Sequence, residues 1–341
     1  MVDLSRSTTS SPDVHAVPSD PGISWIKDEA PTIEAPPDND PDPLPEAKWA
    51  SNAKRTGICG AVAPRVVKLP DASYRMYYTQ MVPRPGHPAG ANDYDNVSTR
   101  ILSATSTDGL SWTPEAGVRL TPHQGGAGAW RVVSSEVVPT SDGRLRMYYE
   151  CAPGTQSDPS TIRSAVSKDG LFWEMEGGNR LASGDANYSS PRILCLQDGR
   201  IRLYCHERGR GIISAISQEG LTFTEEEGTR ISKGGPYDTT TAFACEILQL
   251  HTGEYVMYYA GYSAPNRAQI LRALSDDGLH WEKQAEPAVL PGDPLDRAKS
   301  SEMCLYRLPT GQAYRIVYEG CDGTAVDERG VWRILGATAR A

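Results

Sequence analysis

The chain has 341 residues, of which 39% are hydrophobic and 23% are charged, and its formal net charge is −9 at pH 7. This composition is typical of a globular protein and excludes wholesale disorder. The acidic balance, without a run of lysine and arginine, argues against binding to nucleic acid or to an anionic membrane.

The location of the protein is inferred from segments that the sequence lacks. Its apolar stretches are all shorter than the about 20 residues of a membrane span. Residues 1–21 show no basic segment followed by an apolar one, as a secretory signal would. The seven cysteines are odd in number and have no spacing typical of a metal site. We therefore expect a cytoplasmic protein with reduced, mostly buried thiols, no cofactor and no metal, although a cation beside His206 stays an open alternative.

The N-terminal region is expected to flank one large domain. Residues 1–18 predict a disordered or extended tail. Residues 19–30 contain the sequence Ser-Asp-Pro-Gly-Ile-Ser-Trp, which matches a motif that recurs downstream and predicts a strand. Residues 31–56 are rich in proline and aspartate and predict an extended strap. The sequence thus predicts a single domain over residues 19–341.

Internal repetition is the clearest signal in the chain. Segments with Ser, Asp or Glu, Gly, Leu and an aromatic residue at fixed offsets recur every 50–61 residues, at 106–112, 167–173, 217–223 and 275–281. A tyrosine-containing apolar run precedes each segment, and a fifth run follows the last; these runs are 74–78, 145–149, 201–205, 255–259 and 314–318. Repetition at this period indicates copies of one structural unit.

Each repeat is predicted to form a four-stranded antiparallel sheet. Turns such as Asp142-Gly143 and Asp198-Gly199 precede the apolar runs and favour hairpins. Four strands repeated radially are typical of a β-propeller blade. The fifth repeat lacks its fourth strand, which residues 19–30 would supply, closing the ring and removing an open sheet edge. The sequence therefore predicts an all-β, five-bladed β-propeller with four antiparallel strands per blade.

The position of the repeated motif bears on its role. In a propeller the turn between the third and fourth strands lies away from the long loops, which converge at the other end and favour a ligand pocket there. We therefore expect Asp108, Asp169 and Asp277 to accept hydrogen bonds from turn amides rather than to catalyse a reaction. The tryptophans of the motif are expected to pack between blades.

The first strands of the predicted blades begin with ionisable residues, namely Arg65, Glu136, Arg192, Glu246 and Glu302. Antiparallel pairing would bring the start of each first strand beside the end of the second, so that Glu136 neighbours Glu150, Arg192 neighbours His206 and Glu302 neighbours Glu319. The same pairing places Cys304 opposite residue 317 and argues against disulfides. Buried charges need partners. The ring is therefore either a plug of salt bridges or a site whose carboxylates act as acid and base.

The repeated motif resembles the Asp-box of sialidases, and the chain from about residue 20 onward resembles the five-bladed propellers of glycoside hydrolase families 43 and 32. Those glycosidases take three acids from first-strand positions, so the resemblance implies that Glu136 and Glu246 occupy comparable positions. Where they place a blade-one aspartate as base or nucleophile, this chain has Arg65. Sialidases do start their first blade with an arginine, but they use three arginines and a tyrosine nucleophile on six blades, and only Arg65 and Arg192 match.

Three functions stay open from the sequence. The first is a hydrolase-like enzyme acting on a sugar or other polyhydroxylated small molecule, with Glu246 or Glu302 as general acid and Glu136 as base. The second is an intracellular cyclase, lyase or isomerase that uses the same acids. The third is a non-catalytic carbohydrate-binding propeller, which the heterogeneous ring disfavours.

All three functions imply a small-molecule partner, and the sequence leaves the oligomeric state open. The catalytic candidates are Glu136, Glu246 and Glu302. The candidates for substrate binding are Arg65, Arg192, Glu150, His206, Glu319 and Tyr149.

Overall fold

The structure is a computed structural model that describes residues 16–17, 19–38, 58–84, 94–95, 97–126, 128–309, 311, 313–324 and 330–340. Strands dominate these residues, and the prediction of an all-β chain is confirmed for them. In chain order the elements are β1 (Ala16–Val17), β2 (Ile26–Lys27), β3 (Cys59–Lys68), β4 (Tyr74–Pro83), β5 (Val97–Ser106), β6 (Thr113–Pro114), α1 (Pro122–Gly125), β7 (Arg131–Pro139), β8 (Leu145–Ala152), β9 (Thr161–Ser167), β10 (Glu174–Met175), β11 (Tyr188–Cys195), β12 (Ile201–Glu207), β13 (Gly211–Ser217), β14 (Thr224–Glu225), β15 (Thr241–Leu250), β16 (Tyr255–Ala264), β17 (Arg267–Ser275), β18 (Glu282–Lys283), β19 (Lys299–Arg307), β20 (Ala313–Cys321) and β21 (Val331–Arg340).

The strands pair in antiparallel sets that follow the repeats of the sequence. Strands β3 to β6 form one set, β7 to β10 the second, β11 to β14 the third and β15 to β18 the fourth. In the last set, β19, β20 and β21 are joined by β2, where Ile26 pairs with Thr338 and Lys27 with Ala337. The N-terminal segment thus lies beside the third strand of the last repeat.

Only part of the predicted tail and strap falls within the described residues. Of the tail over residues 1–18, the structure describes β1, which pairs in parallel with β15. Of the strap over residues 31–56, it describes 31–38, where Ile33 bridges to Ile334. The remainder of both segments lies outside the described residues.

The hydrophobic core lies between neighbouring sets. Tyr77 of the first set and Met147 of the second are buried in one cluster, and Met76 of the first set and Val317 of the last are buried in another. Burying such a side chain stabilises the fold by roughly 1.5–3 kcal/mol. Burial of these side chains therefore stabilises the contact between neighbouring sets.

Tyrosine hydroxyls connect each set to a motif turn in another set. Tyr204 donates to the carbonyl of Gly278 at 2.7 Å, and its ring packs edge-on against Trp281 with centroids 6.3 Å apart. The corresponding pairs are Tyr77 with Gly170, Tyr148 with Gly220, Tyr258 with Gly22 and Tyr306 with Gly109. We call these pairs, together with Tyr204 and Gly278, the tyrosine latches. The prediction that the motif tryptophans pack between sets is confirmed for Trp112, Trp173 and Trp281.

The motif aspartates hold their own turns. Asp108 Oδ1 accepts from the backbone amides of Leu110 and Ser111, both at 2.8 Å. Asp169 and Asp277 do the same in their turns. These bonds lower the pKa of Asp108 to about 2, with the amide of Ser111 as the largest cause. The structural role predicted for the motif aspartates is confirmed.

Candidate functional site

β-Bulges interrupt the first strand of each set where it approaches the candidate site. The register against the second strand shifts in β3, β7, β11, β15 and β19. Within the bulges, Ala63, Ser134, Ser190 and Ala244 have φ between 48° and 52°. Residues other than glycine adopt this conformation rarely, and it persists where the surrounding structure imposes it, often beside functional sites.

The pairing of the ring residues differs from the pairing that the sequence predicts. Glu136 lies opposite Tyr148, and the partner of Glu150 is Val133. On β8 the partner of Glu136 lies two positions from Glu150, and the same register holds between the bulge and the hairpin turn, where Val137 pairs with Met147. The bulge adds one further residue to β7, so Glu150 lies three positions from the residue that was predicted to face it. The same offset separates Arg192 from His206, whose partners are Tyr204 and Ser189.

In the last set, Glu302 does not lie at the strand position that the sequence alignment predicted for it. Cys304 pairs with Val317, as predicted, while Ser301 pairs with Glu319 and Glu302 is the extra residue between. Cys304 therefore stands at the position that Glu136 occupies in the second set, and Glu302 stands at the position of Ser134.

A buried ion cluster is formed by two arginines and two glutamates, namely Arg65, Arg192, Glu136 and Glu246. Arg65 Nη2 donates to Glu136 Oε1 at 2.9 Å, and Arg65 also contacts Glu246. Arg192 Nε lies 3.8 Å from Glu246 Oε2. Burial raises the pKa of Glu136, and Arg65 beside it opposes this shift. Buried charges are costly unless they are paired, and the cluster corresponds to the plug that the sequence left as one alternative.

A cavity of about 900 Å³ lies beside the ion cluster, within the size range of small-molecule sites. Every set contributes to its wall. Of the predicted site residues, Glu150, His206, Glu302 and Glu319 line the cavity, whereas Arg65, Glu136, Arg192, Glu246 and Tyr149 are not among its lining residues. Tyr149 packs in a hydrophobic cluster and donates its hydroxyl to the carbonyl of Gly125 at 2.7 Å.

Glu302 accepts hydrogen bonds from donors of two other sets. Its Oε1 accepts from Arg192 Nη2 at 2.8 Å. Its Oε2 accepts from the hydroxyls of Ser134 and Ser190 at 3.3 and 3.4 Å. Hydrogen bonds to a carboxylate, and above all from a guanidinium, favour its charged form. The two serines are the bulge residues with positive φ, so the strained backbone of β7 and β11 places both donors.

Glu319 lies in an environment that favours the protonated form. Burial raises the pKa of Glu319 to about 8, and the neighbouring charge of Glu302 acts in the same direction. Its oxygens accept from the hydroxyl of Ser301 at 2.6 Å and from the amide of Ala63 at 2.9 Å, and neither donor carries a charge. At neutral pH Glu319 therefore carries a proton that it can donate.

Two further predicted residues complete the polar wall. Burial raises the pKa of Glu150, Arg208 and Arg131 oppose the shift, and Tyr94 donates to Glu150 Oε1 at 3.4 Å. Burial lowers the pKa of His206 to about 3, so this imidazole is neutral near pH 7.

Sequence reasoning missed several residues that line the cavity, among them Arg208, Lys299, Tyr262 and Trp332. Lys299 Nζ lies 5.2 Å from the ring centroid of Trp332 and 5.6 Å from that of Tyr262. Lys299 begins β19, three residues before Glu302, so extending the candidate ring toward the start of each first strand would have found it. Arg208 follows His206 by two residues and had no comparable signal.

Some arrangements are absent from the described residues. Among them, no three His, Cys, Asp or Glu side chains are grouped as metal ligands are. No helix in that part of the chain is both long and apolar enough to cross a membrane. The seven cysteines form no disulfide, in agreement with the predicted strand pairing.

Comparison by sequence reaches part of the chain. No protein-family model matches it. Two curated relatives, the uncharacterized proteins Rv1502 and MT1551 from two strains of Mycobacterium tuberculosis, are 30% identical over 130 residues. The match covers 35% of this chain and 43% of each relative, so it spans less than half the length of these proteins.

Comparison by structure covers nearly the whole chain. A glycosyl hydrolase from Bacteroides ovatus has a TM-score of 0.70 at 16% identity, over 95% of this chain and 96% of that chain. A thermostable family-43 glycoside hydrolase has a TM-score of 0.64 at 17% identity, over 85% and 91%. A structure from the GH130 family of mannoside phosphorylases and glycoside hydrolases has a TM-score of 0.62 at 16% identity, over 91% and 95%.

These similarities define the fold. The chain has the fold of the propeller glycoside hydrolases, and the resemblance inferred from the sequence is confirmed at that level.

Proposed function

We propose that this protein is a glycoside hydrolase-like enzyme that cleaves a sugar substrate by acid–base catalysis in the cavity. One observation carries the proposal: Glu302 and Glu319 line the same cavity but lie in opposite electrostatic surroundings. Pairs of titratable groups whose pKa values are pushed apart are typical of acid–base sites. The glycoside hydrolases that share the fold support a sugar as the substrate.

The proposed scaffold is a ring of five blades, each formed by one of the antiparallel sets. We propose that β2 completes the last blade and closes the ring. Three observations support closure: β2 pairs with β21, Tyr258 donates to the carbonyl of Gly22, and one buried cluster contains both Met76 and Val317. Closure would hold the first strands at fixed positions around the cavity.

In the proposed reaction Glu319 is the general acid and Glu302 the general base. Glu302 takes a proton from a water molecule as the water oxygen bonds to the anomeric carbon. The bond from that carbon to the leaving oxygen breaks, and the leaving oxygen receives the proton of Glu319. Atoms and charge balance, because Glu319 ends ionised and Glu302 ends protonated, and exchange with solvent restores both.

The buried ion cluster has a supporting role in this proposal. Arg192 contacts Glu302 directly and also lies near Glu246, so it connects the cluster to the proposed base. Glu136 and Glu246 were predicted as catalytic from the sequence, and that prediction can be tested in the same series of variants. We expect them to affect folding more than chemistry, because they are absent from the cavity wall.

Turnover of a panel of nitrophenyl glycosides and oligosaccharides tests the proposal. Glu319→Gln and Glu302→Gln should each lower kcat/KM at least about 100-fold, the usual contribution of a general acid or base. Glu254→Gln is the control, because Glu254 is exposed in a hairpin turn where it accepts from Thr252. Folded Glu319→Gln or Glu302→Gln protein with wild-type turnover would overturn the assignment.

Reaction in ¹⁸O-labelled water separates hydrolysis from the other reactions that the sequence left open. Hydrolysis incorporates one solvent oxygen into the released sugar, whereas a cyclase, lyase or isomerase leaves the product unlabelled. An unlabelled product would reject hydrolysis while leaving the acid and base assignments open to the variants above.

A further inference from the structure

Arg208 is a cavity residue whose guanidinium is fixed at one end and open at the other. It lies directly after β12, in the turn that leads to β13, and it is half-buried. Its Nε donates to Asn187 Oδ1 at 2.9 Å, and its backbone amide donates to the carbonyl of Asn187 at 3.0 Å. Both bonds anchor the arginine to the residue that precedes β11.

Asn187 is itself held in one orientation. Its Nδ2 donates to the carbonyls of Gln156 and Asp158 at 2.7 and 2.6 Å, and its Oδ1 also accepts from Ser160 at 2.8 Å. The side-chain amide therefore has donors and acceptors that match only one of its two possible flips. Since Asn187 is only 7% exposed, Arg208 is anchored to a rigid, buried group.

The terminal nitrogens of Arg208 remain for a ligand. Among the described residues, neither Nη1 nor Nη2 has a hydrogen-bond or ion-pair partner. The guanidinium carbon lies 5.7 Å from the ring centroid of Tyr94, and its charge lowers the pKa of Glu150 against the effect of burial. By contrast, Arg210, two residues further along, binds carboxylates of the protein itself. Its Nε donates to Glu207 at 2.8 Å and its Nη1 donates to Glu225 at 2.7 Å. A planar guanidinium held in place with two open donors matches the two oxygens of an oxyanion.

We infer that Arg208 binds an oxyanion carried by the substrate, so that the cavity selects a sugar bearing a carboxylate or a phosphate group. Lys299 places a second positive charge on the cavity wall. The inference rests on the proposed function in so far as the ligand is a sugar, but it concerns binding and not the chemical step.

Calorimetric titration with matched monosaccharides tests the inference. In the gluco, galacto and manno series, the neutral hexose, its uronate and its 6-phosphate differ only at carbon 6. Wild-type protein should bind one of the anionic sugars at least about tenfold more tightly than the neutral parent. The uronate and phosphate arms identify which oxyanion the site prefers.

The variants distinguish a specific effect of Arg208 on ligand binding from a general effect of positive charge in the turn. Arg208→Gln should abolish the preference, and Arg208→Lys should keep only part of it, because a lysine keeps the charge but loses the planar fork. Arg210→Gln removes the same charge from the same turn and should bind like wild type. Equal binding of anionic and neutral sugars in all three series, or an unchanged preference in Arg208→Gln, would overturn the inference.

Failure of the proposed function gives a different result. Protein that prefers anionic sugars but hydrolyses no glycoside would refute the enzymatic proposal and leave the role of Arg208 intact. Protein that hydrolyses glycosides without any preference for anionic sugars would do the reverse.

Discussion

The buried ion cluster and the adjacent cavity both contain glutamates, but different groups surround the carboxylates in the two regions. In the cluster, Glu136 and Glu246 contact the guanidinium of Arg65. In the cavity, Glu319 accepts only from a hydroxyl and a backbone amide and lies near the carboxylate of Glu302. The glutamates of the cluster bind a guanidinium outside the cavity wall, whereas burial and the nearby carboxylate of Glu302 raise the pKa of Glu319, which lines the cavity.

Arg192 connects the two regions. It donates to Glu302 at the cavity wall at 2.8 Å, and it lies 3.8 Å from Glu246 in the cluster. A cavity carboxylate is thus held by a residue that is only 2% exposed and is not part of the cavity wall.

The largest expected effect on stability comes from breaking the cluster. Glu136→Gln leaves Arg65 short of a negative partner, and we expect it to lower the free energy of unfolding by about 3–5 kcal/mol, as measured by urea denaturation. Glu115→Gln is the control, because Glu115 pairs with Arg75 at 2.8 Å nearer the surface and should cost about 1 kcal/mol or less. Equal losses in both variants would contradict a special role for the cluster.

The next effect concerns stability and pH. Folded Glu319 keeps its proton up to a pKa of about 8, whereas an unfolded glutamate releases it near pH 4.3. Between these values the folded state binds more protons, so its stability falls as the pH rises. Glu319→Gln lacks this proton, and it should gain on the order of a few kcal/mol relative to wild type between pH 5 and pH 8. A difference that is independent of pH in urea denaturation would argue against the raised pKa.

A third effect concerns the rate of the proposed reaction. If Glu319 is the general acid, kcat/KM should fall about tenfold per pH unit above pH 8, because the proton is then lost. Glu319→Gln should lack this alkaline decline, and Glu254→Gln should retain it. A wild-type profile that stays flat to pH 10 would exclude Glu319 as the acid.

The smallest expected effect on stability comes from a residue that belongs neither to the ion cluster nor to the cavity wall. Tyr204→Phe removes one tyrosine latch and should lower the free energy of unfolding by about 1 kcal/mol without changing turnover. Tyr237→Phe is the control, since its hydroxyl has no hydrogen bond to the described residues. A loss of activity in Tyr204→Phe would show that the latches also shape the cavity.

Features set by local sequence and by repetition could be predicted. The strands, the motif turns and the packing of Trp173 and Trp281 follow from patterns that recur along the chain, and the structure agrees with them. Asp108 binds amides within three residues of itself, so its role needs no knowledge of distant contacts.

Features set by distant contacts could not be predicted. The local sequence around Ser134 does not predict its positive φ, because serine is not a residue that favours this conformation. Glu302 was aligned with Glu136, although it lies two residues earlier along its strand, at the position of Ser134. Arg208 was missed for the same reason, since its anchor at Asn187 lies in a different part of the chain.

The tyrosine latches also determine how this protein should come apart. Each latch ends in a turn that belongs to another set, and the one from Tyr258 ends at Gly22 near the opposite end of the chain. Detaching one sheet would strip its neighbours of hydrogen bonds and expose their apolar sides to water. Melting should therefore proceed as a single cooperative event, without a partly folded species that keeps some sheets and loses others.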